Sequence, residues 1–197
     1  MPKIVDHDRY RKELLMGCFD LFAERGYGSI TMRQIAKGLG VSTGTLYHYF
    51  PSKESIFMQL VQELFERDIS TFFAQAPNAH RLEERLQAIM DFALEHSQYY
   101  YQQFVLWVDF VQQTRDQPDT ANRFLQDVWE RTRNTLADYL QITNPELLDF
   151  IMVFIDGLFV QYIYGRGIED ADWFRQQSQL MIQMVIHHEQ NLAPVQT

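Results

Sequence analysis

Cysteine is nearly absent from this chain of 197 residues, which has a single one, Cys18. One thiol excludes an internal disulfide and any metal site built from several cysteines. Cys18 falls in an apolar pattern of helical spacing, so we expect it in the core of a cytoplasmic protein. Residues 1–11 are polar and lack the apolar run of a signal peptide. Because 46% of the residues are hydrophobic, the chain has enough apolar material for a full core.

An uninterrupted hydrophobic run is also missing. The longest apolar stretch, Leu147 to Tyr164, contains Asp149, Asp156 and Gln161, and Gly157 lies in its middle. A helix that faces lipid rarely tolerates two aspartates and a glutamine within one span. The pattern therefore predicts a buried helix at a subunit interface, and no membrane partner.

Motifs for catalysis and for metal binding are lacking as well. No glutamate is followed three residues later by a histidine, the pair that di-iron helical bundles need on one helix face. The chain has neither a glycine-rich phosphate loop nor a Gly-x-Ser-x-Gly nucleophile elbow. His187 and His188 are adjacent, so they face different sides of a helix and at most one can join a common metal site. We expect no enzymatic activity, no cofactor and no metal.

A net charge of −9, taken alone, argues against a nucleic-acid partner, because affinity for DNA depends largely on positively charged side chains that bind phosphates. The charges are unevenly distributed, however. Residues 1–53 contain eight Lys and Arg against five Asp and Glu, a balance of +3, whereas residues 54–197 contain nine against twenty-one, a balance of −12. A small basic domain next to an acidic body is typical of a protein that presents one end to DNA.

Strand-like alternation, internal repeats and low-complexity runs are absent, and the hydrophobic spacing is helical throughout. Thr31 and Gln34 have the form of a capping box, and Ser42 precedes the next short helix as its cap. The sequence predicts an all-α fold: an N-terminal three-helix helix-turn-helix domain, residues 1–53, followed by a C-terminal helical bundle, residues 54–197. The nine expected helices cover about 8–25, 32–40, 43–50, 53–75, 81–96, 99–115, 120–141, 145–164 and 171–190.

The third of these helices leaves a polar surface outside the small domain. Its residues are small or hydrogen-bonding, and none of them is acidic. Hydroxyl groups and a backbone bared by glycine can approach phosphates and base edges closely without charge repulsion. The exposed set is Thr43, Gly44, Thr45, Tyr47, His48 and Tyr49.

Residues 8–60 contain a pattern that resembles the N-terminal domain of the tetracycline-repressor (TetR) family almost without departure. Beyond residue 60 the resemblance concerns only chain length and helical pattern, apart from Ile155–Leu158, which resembles the late-helix motif of the family's betaine-regulator-like branch. The matching segments are Gly26-Tyr27, Thr31-Met32-Arg33-Gln34-Ile35-Ala36, Gly40-Val41-Ser42-Thr43-Gly44-Thr45-Leu46-Tyr47-His48-Tyr49-Phe50 and Lys53-Glu54.

This resemblance implies that Thr31 and Arg33 contact phosphates or, for Arg33, a base edge. It implies further that the third helix lies along the major groove and that Lys53 binds a phosphate, aided by the dipole of the fourth helix. Two residues have alternatives: Tyr47 would otherwise belong to the core of the small domain, and His48 would be a solvated surface histidine. The expected DNA-binding residues are Thr31, Arg33, Ser42, Thr43, Gly44, Thr45, Tyr47, His48, Tyr49 and Lys53.

The C-terminal body contains more bulky aromatic side chains than a small helical bundle usually packs without voids. They form either an ordinary core or an effector pocket. Asp156 is either a buried acid hydrogen-bonded at a helix contact, which is the favoured alternative, or a partner for a cationic ligand. The residues expected to line a pocket are Tyr100, Phe104, Trp107, Phe159 and Tyr162.

By the same resemblance, the last two helices form the interface of a two-fold dimer through two apolar stripes. The stripes consist of Phe150, Val153, Phe154 and Leu158 on one helix and of Leu180, Met184 and Val185 on the other.

The whole pattern predicts a homodimeric, ligand-responsive transcriptional regulator, and a repressor by the family's commoner mode. It would bind an inverted-repeat operator in double-stranded DNA and be released by a small-molecule effector that is mostly apolar or aromatic, or else cationic. The alternative, a helical-bundle enzyme or protein-interaction module that does not bind DNA, leaves the surface from Thr43 to Tyr49 and the charge asymmetry unexplained.

Overall fold

The computed structural model describes residues 6–115, 118–164 and 170–192, without the side chains of residues 118–122, 162 and 192. Over these ranges the chain forms α-helices and one turn of 3-10 helix, at Tyr162–Tyr164, with no strand. The predicted all-α fold is therefore confirmed. The α-helices are α1 (His7–Arg25), α2 (Met32–Gly38), α3 (Thr43–Tyr49), α4 (Lys53–Gln75), α5 (Leu82–Glu95), α6 (Ser97–Gln113), α7 (Pro118–Leu140), α8 (Pro145–Gln161) and α9 (Ala171–Leu192).

Local hydrogen bonds explain where the N-terminal helices begin. Thr31 and Gln34 form the predicted capping box: the Gln34 amide donates to the Thr31 hydroxyl at 3.3 Å, and the Gln34 side-chain oxygen accepts from the Thr31 amide at 2.9 Å. Ser42 caps α3 by accepting from the Thr45 amide at 2.9 Å. Asp6 caps α1 in the same way. These bonds satisfy backbone donors that have no partner inside a helix.

Most helix boundaries differ from the sequence prediction by one to three residues. Two of the differences change how neighbouring elements follow each other. α6 begins at Ser97 rather than at residue 99, directly after His96 ends α5. α8 ends at Gln161, and the three residues that follow tighten into the 3-10 turn. Helix ends are the parts that a sequence pattern fixes least well, and a last turn commonly changes to the 3-10 pattern, as it does after α8.

The chain divides into two compact units that do not follow its order. The first unit consists of Met1–Ala74 and Val105–Phe124, and the second of Gln75–Phe104 and Leu125–Thr197. The first unit therefore joins the three N-terminal helices with nearly all of α4 and with the C-terminal half of α6. The functional division at residues 53 and 54 stays a prediction.

The first unit has an aromatic core contributed by helices that are distant in sequence. Phe57 of α4 stacks on Phe110 of α6 with ring centroids 4.3 Å apart. Tyr27, in the turn after α1, meets both rings edge-on at 5.1 Å. Phe22 of α1 completes the cluster beside Tyr27 and Phe57. Edge-to-face and stacked arrangements of this kind are favoured over arbitrary ring contacts.

The second unit is built around an aliphatic core between α5, α8 and α9, which includes Leu86, Ile151 and Met181. Leu158 and Val185, expected in the dimer stripes, are buried in this core instead, so their side chains are not exposed for pairing with a second copy. No helix within the described ranges combines the length and the hydropathy that a membrane crossing requires.

Candidate nucleic-acid interface

Helices α2 and α3 form the two short helices of the predicted helix-turn-helix, and each buries a narrow apolar side. Ile35 and Ala36 of α2 and Leu46 of α3 are buried, and Phe50 ends α3 with its ring in the core. Because so little of α3 faces the core, most of its seven residues form a surface of the small domain.

Tyr47 lies on this surface rather than in the core. Half of its side chain, 51%, is exposed, which overturns the alternative that placed it in the core. His48 is exposed beside it, while Thr43, Thr45 and Tyr49 are half-buried. The expected major-groove residues of α3 are thus brought together on one short helix, and their contact with DNA stays a prediction.

Gly44 is exposed in the first turn of α3, and the fold does not explain why it is glycine. A Cβ atom added there would meet only the Ser42 hydroxyl, at an ordinary contact distance of 3.7 Å. Its φ does not lie in the left-handed region either, since Gly26 and Gly40 are the glycines with positive φ among the described residues. A backbone kept free of side-chain atoms at this point is available to an external partner.

The surface around α2 and α3 has no acidic group of its own. From Gly26 to Ser52 the sequence contains no aspartate or glutamate. Arg33 and Lys37 of α2 are exposed, as are Thr31 and Ser42 at the two helix starts. Such a surface meets a polyanion without repulsion and can donate hydrogen bonds to phosphates.

Sequence reasoning missed a contribution from α1 to this surface. The His7 Nδ1 atom and the Tyr49 hydroxyl are 2.8 Å apart, and Tyr10 meets the Tyr49 ring edge-on at 5.6 Å. His48 packs edge-on against Tyr49 at 5.0 Å. The start of α1 therefore orients the last turn of α3. No local pattern could have found this, because 42 residues separate His7 from Tyr49.

Lys53 lies at the start of α4, as expected, and contacts the turn between α1 and α2. Its ammonium donates to the carbonyl oxygens of Tyr27 at 2.6 Å and Ile30 at 3.0 Å, and it lies 4.4 Å from the centroid of the Tyr27 ring. Burial lowers the pKa of Lys53, and the nearby Asp109 carboxylate partly offsets this effect. In this arrangement the ammonium binds protein, and this structural role competes with the phosphate contact that the resemblance implies.

The expected effector residues are only partly assembled. Tyr100 of α6 and Phe159 of α8 meet in the second unit with ring centroids 5.6 Å apart. Phe104 is half-buried in the same unit, and Trp107 is half-buried in the first unit. The side chain of Tyr162 lies outside the described residues. Asp156 is exposed in the single chain although desolvation by nearby protein raises its pKa, so its expected burial at a helix contact within the chain is not observed.

Comparison with known proteins identifies the N-terminal pattern. The profile of the family described as bacterial regulatory proteins, tetR family, matches residues 14–60. Two curated relatives extend the similarity over most of the chain. The HTH-type transcriptional regulator BetI of Brucella suis is 28% identical over 179 residues, covering 87% of this chain and 88% of that protein. The HTH-type transcriptional repressor KstR2 of Mycobacterium tuberculosis is 32% identical over 168 residues, covering 83% of this chain and 78% of that protein.

A solved structure shares the fold as well. It is a transcriptional regulator from Saccharomonospora viridis in complex with choline, with a TM-score of 0.73 and 22% identity, covering 89% of this chain and 96% of that one. The exposed, acid-free α3 and the similarity to KstR2 along most of the chain lead to one conclusion. This chain belongs to the TetR family of helix-turn-helix transcriptional regulators.

Proposed function

We propose that this chain is a repressor that binds an inverted-repeat operator as a homodimer and leaves it when a small-molecule effector binds. The observation that carries the proposal is the exposed, acid-free face of α3, with Tyr47 at its centre. We propose no catalytic role. We propose that it acts in the cytoplasm, where a regulator meets chromosomal DNA.

The proposed DNA contacts come from α2 and α3. Thr31 and Arg33 lie at the start of α2, where hydroxyl and guanidinium groups can bind phosphates or, for Arg33, a guanine edge. The residues of α3 lie along the major groove. The proposed set is Thr31, Arg33, Ser42, Thr43, Gly44, Thr45, Tyr47, His48 and Tyr49.

The proposed dimer uses the apolar side chains that α8 and α9 leave exposed. Val153 of α8 is 67% exposed, and Leu180 and Met184 of α9 are each 53% exposed. Phe150 lies on the same side of α8 as Val153, and a Cβ atom at Gly157 would meet nothing within 4 Å, so a second helix can approach there. Exposed apolar stripes of this kind favour a self-complementary interface. Two copies would then pair α8 and α9 in a four-helix arrangement.

The proposed effector binds the second unit, beside the contact of Tyr100 with Phe159. Phe92 adds a third ring, 6.3 Å from Tyr100. Aromatic faces attract apolar ligands and also cations, which the electron-rich ring faces stabilise. The Saccharomonospora viridis regulator was solved with choline, a small organic cation, which supports including cations among the candidate effectors. The proposed class is therefore an apolar, aromatic or cationic small molecule.

A selection experiment tests the proposal without knowledge of the operator. Random-sequence duplexes are selected with the purified chain, and the winning duplex is then footprinted. We expect an inverted repeat with two protected half-sites about 34 Å or a multiple of it apart, as a two-fold dimer requires. Failure to enrich any sequence would remove the DNA-binding function and favour a protein-interaction module.

Two tyrosine variants make a matched pair for this assay. Tyr47 is 51% exposed on α3, and Tyr164 is 72% exposed in the second unit. Tyr47→Ala should strongly weaken binding to the selected duplex, while Tyr164→Ala should bind like the unmodified chain. Equal binding by both variants would mean that α3 is not the recognition helix.

A further inference from the structure

The turn between α1 and α2, residues 26–30, is held by charged side chains from two helices that are distant in sequence. Lys53 begins α4, and Asp109 lies in the half of α6 that belongs to the first unit. Neither residue lies on α2 or α3. The two side chains bind opposite kinds of backbone group on the turn. The Lys53 ammonium binds carbonyl oxygens, and the Asp109 carboxylate binds an amide.

Lys53 binds the turn through its carbonyl oxygens. Its ammonium donates to Tyr27 at 2.6 Å and to Ile30 at 3.0 Å, with a third, longer approach of 3.5 Å to the carbonyl of Gly28. The ammonium also lies over the face of the Tyr27 ring. An ammonium has three protons to donate, and the two short bonds to Tyr27 and Ile30 occupy two of them.

Asp109 binds the same turn through a backbone amide. Its Oδ2 atom accepts from the Gly28 amide at 3.0 Å. The approach is so close that a Cβ atom at Gly26 would lie 3.1 Å from this oxygen, and one at Gly28 would lie 2.7 Å from the Gln113 side chain. Gly26 also has a φ of 76°, in the region that favours glycine. The turn is thus shaped for contact with α6.

We propose that Lys53 and Asp109 form a clasp that positions the start of α2 for operator binding, and that neither residue contacts DNA. The effect of the clasp on DNA binding rests on the proposed function. The contacts of Lys53 and Asp109 with the turn do not depend on that function. α2 begins two residues after Ile30, and its first turn includes Arg33. A shift of the turn therefore moves the proposed phosphate contacts of α2, and it moves α3 with them because the two helices are joined by only four residues.

The clasp and a direct phosphate contact predict different results for Lys53→Met. Binding to the selected duplex should weaken roughly 5- to 100-fold, the range expected when part-buried charge-assisted hydrogen bonds lose a partner. The dependence of log affinity on log salt should keep its slope. If Lys53 bound a phosphate, the slope would fall by about 0.9.

Asp109 provides the sharper test, because simple electrostatics predicts the opposite sign. Removal of a carboxylate from a DNA-binding unit should strengthen binding to a polyanion. The clasp predicts that Asp109→Ala weakens binding roughly 5- to 100-fold. Asp109→Asn keeps an oxygen that accepts from the Gly28 amide, so it should stay within about threefold of the unmodified chain. Asp20→Ala, at an exposed acidic residue of α1 in the same unit, is the control for charge alone.

Hydrogen exchange tests the clasp without DNA and so separates its failure from that of the proposed function. In Lys53→Met and Asp109→Ala, amides of residues 26–31 should exchange about tenfold faster than in the unmodified chain, while helical content is unchanged. Unchanged exchange in both variants would overturn the clasp, whatever the DNA results. Faster exchange with no selected duplex would keep the clasp and remove only its role in operator binding. Asp109→Ala that binds the selected duplex as well as or better than the unmodified chain would overturn that role.

Discussion

At the scale of single residues, Gly44 separates the requirements of folding from those of DNA binding. Nothing in the chain crowds the position, and its backbone is ordinary for a helix, so any small side chain would fit. Glycine in a helix costs stability relative to alanine. A residue that weakens its own helix without structural need points to an approaching partner.

Gly44→Ala should therefore leave the chain as stable as before, or more stable by up to about 1 kcal/mol. The same change should weaken binding to the selected duplex, because the added methyl group lies where α3 meets the groove. Urea unfolding and gel-shift titration measure the two effects. A variant that loses stability in parallel with DNA affinity would refute the interpretation.

Cys18 shows the opposite case, a residue explained entirely by packing. It is fully buried, and burial raises the pKa of its thiol to about 12. Because the thiolate is the reactive form, the native chain should resist iodoacetamide at pH 8 and should be alkylated at Cys18 only after denaturation in urea. Mass spectrometry gives the extent of labelling. Rapid labelling of the native chain would show that α1 opens frequently.

At the scale of helices, the exposed apolar stripe on α8 and α9 is the proposed dimer interface. Val153→Arg places a charge in the centre of the proposed interface, where a two-fold axis would bring two copies of it together. We expect sedimentation equilibrium to give the mass of a single chain for this variant and twice that mass for the unmodified protein. Phe73→Arg, at an exposed aromatic residue of α4, should remain dimeric. A dimeric Val153→Arg would place the interface elsewhere.

At the scale of the whole molecule, regulation requires that the effector and the operator favour different conformations. A typical coupling of roughly 1–3 kcal/mol weakens operator affinity about 5- to 150-fold, and the operator must weaken effector affinity by the same factor. Helix α6 includes both the proposed effector residue Tyr100 and the turn-binding Asp109. We therefore predict that an effector that displaces Asp109 through α6 shifts the start of α2.

Trp107 of α6 should report this change. The chain has three tryptophans, and Trp129→Phe combined with Trp173→Phe leaves Trp107 as the only one. In that background, effectors found by screening a panel that begins with choline should quench the fluorescence over the same concentrations that release the selected duplex. Trp107→Ala should reduce the effector response and spare operator binding. A normal response in Trp107→Ala would place the pocket away from this part of α6.

The sequence by itself determined the features that depend on near neighbours along the chain. The capping box of Thr31 and Gln34, the cap at Ser42 and the helical periodicity involve residues three or four positions apart, so their hydrogen bonds and faces are readable without a fold. The acid-free segment that includes α3 is equally a property of the sequence.

Only the tertiary structure decided which of several suitable partners each side chain meets. Lys53 binds carbonyls 23 to 26 residues away, and Asp109 binds an amide 81 residues away. Likewise, Val153 and Leu158 are both apolar residues of α8, yet one is exposed and the other is buried against the neighbouring helices. An apolar side chain can be buried against many others, and a charged side chain can bind many backbone groups, so neither interaction specifies which residue of the sequence is the partner. Their partners are therefore chosen by the packing of the helices.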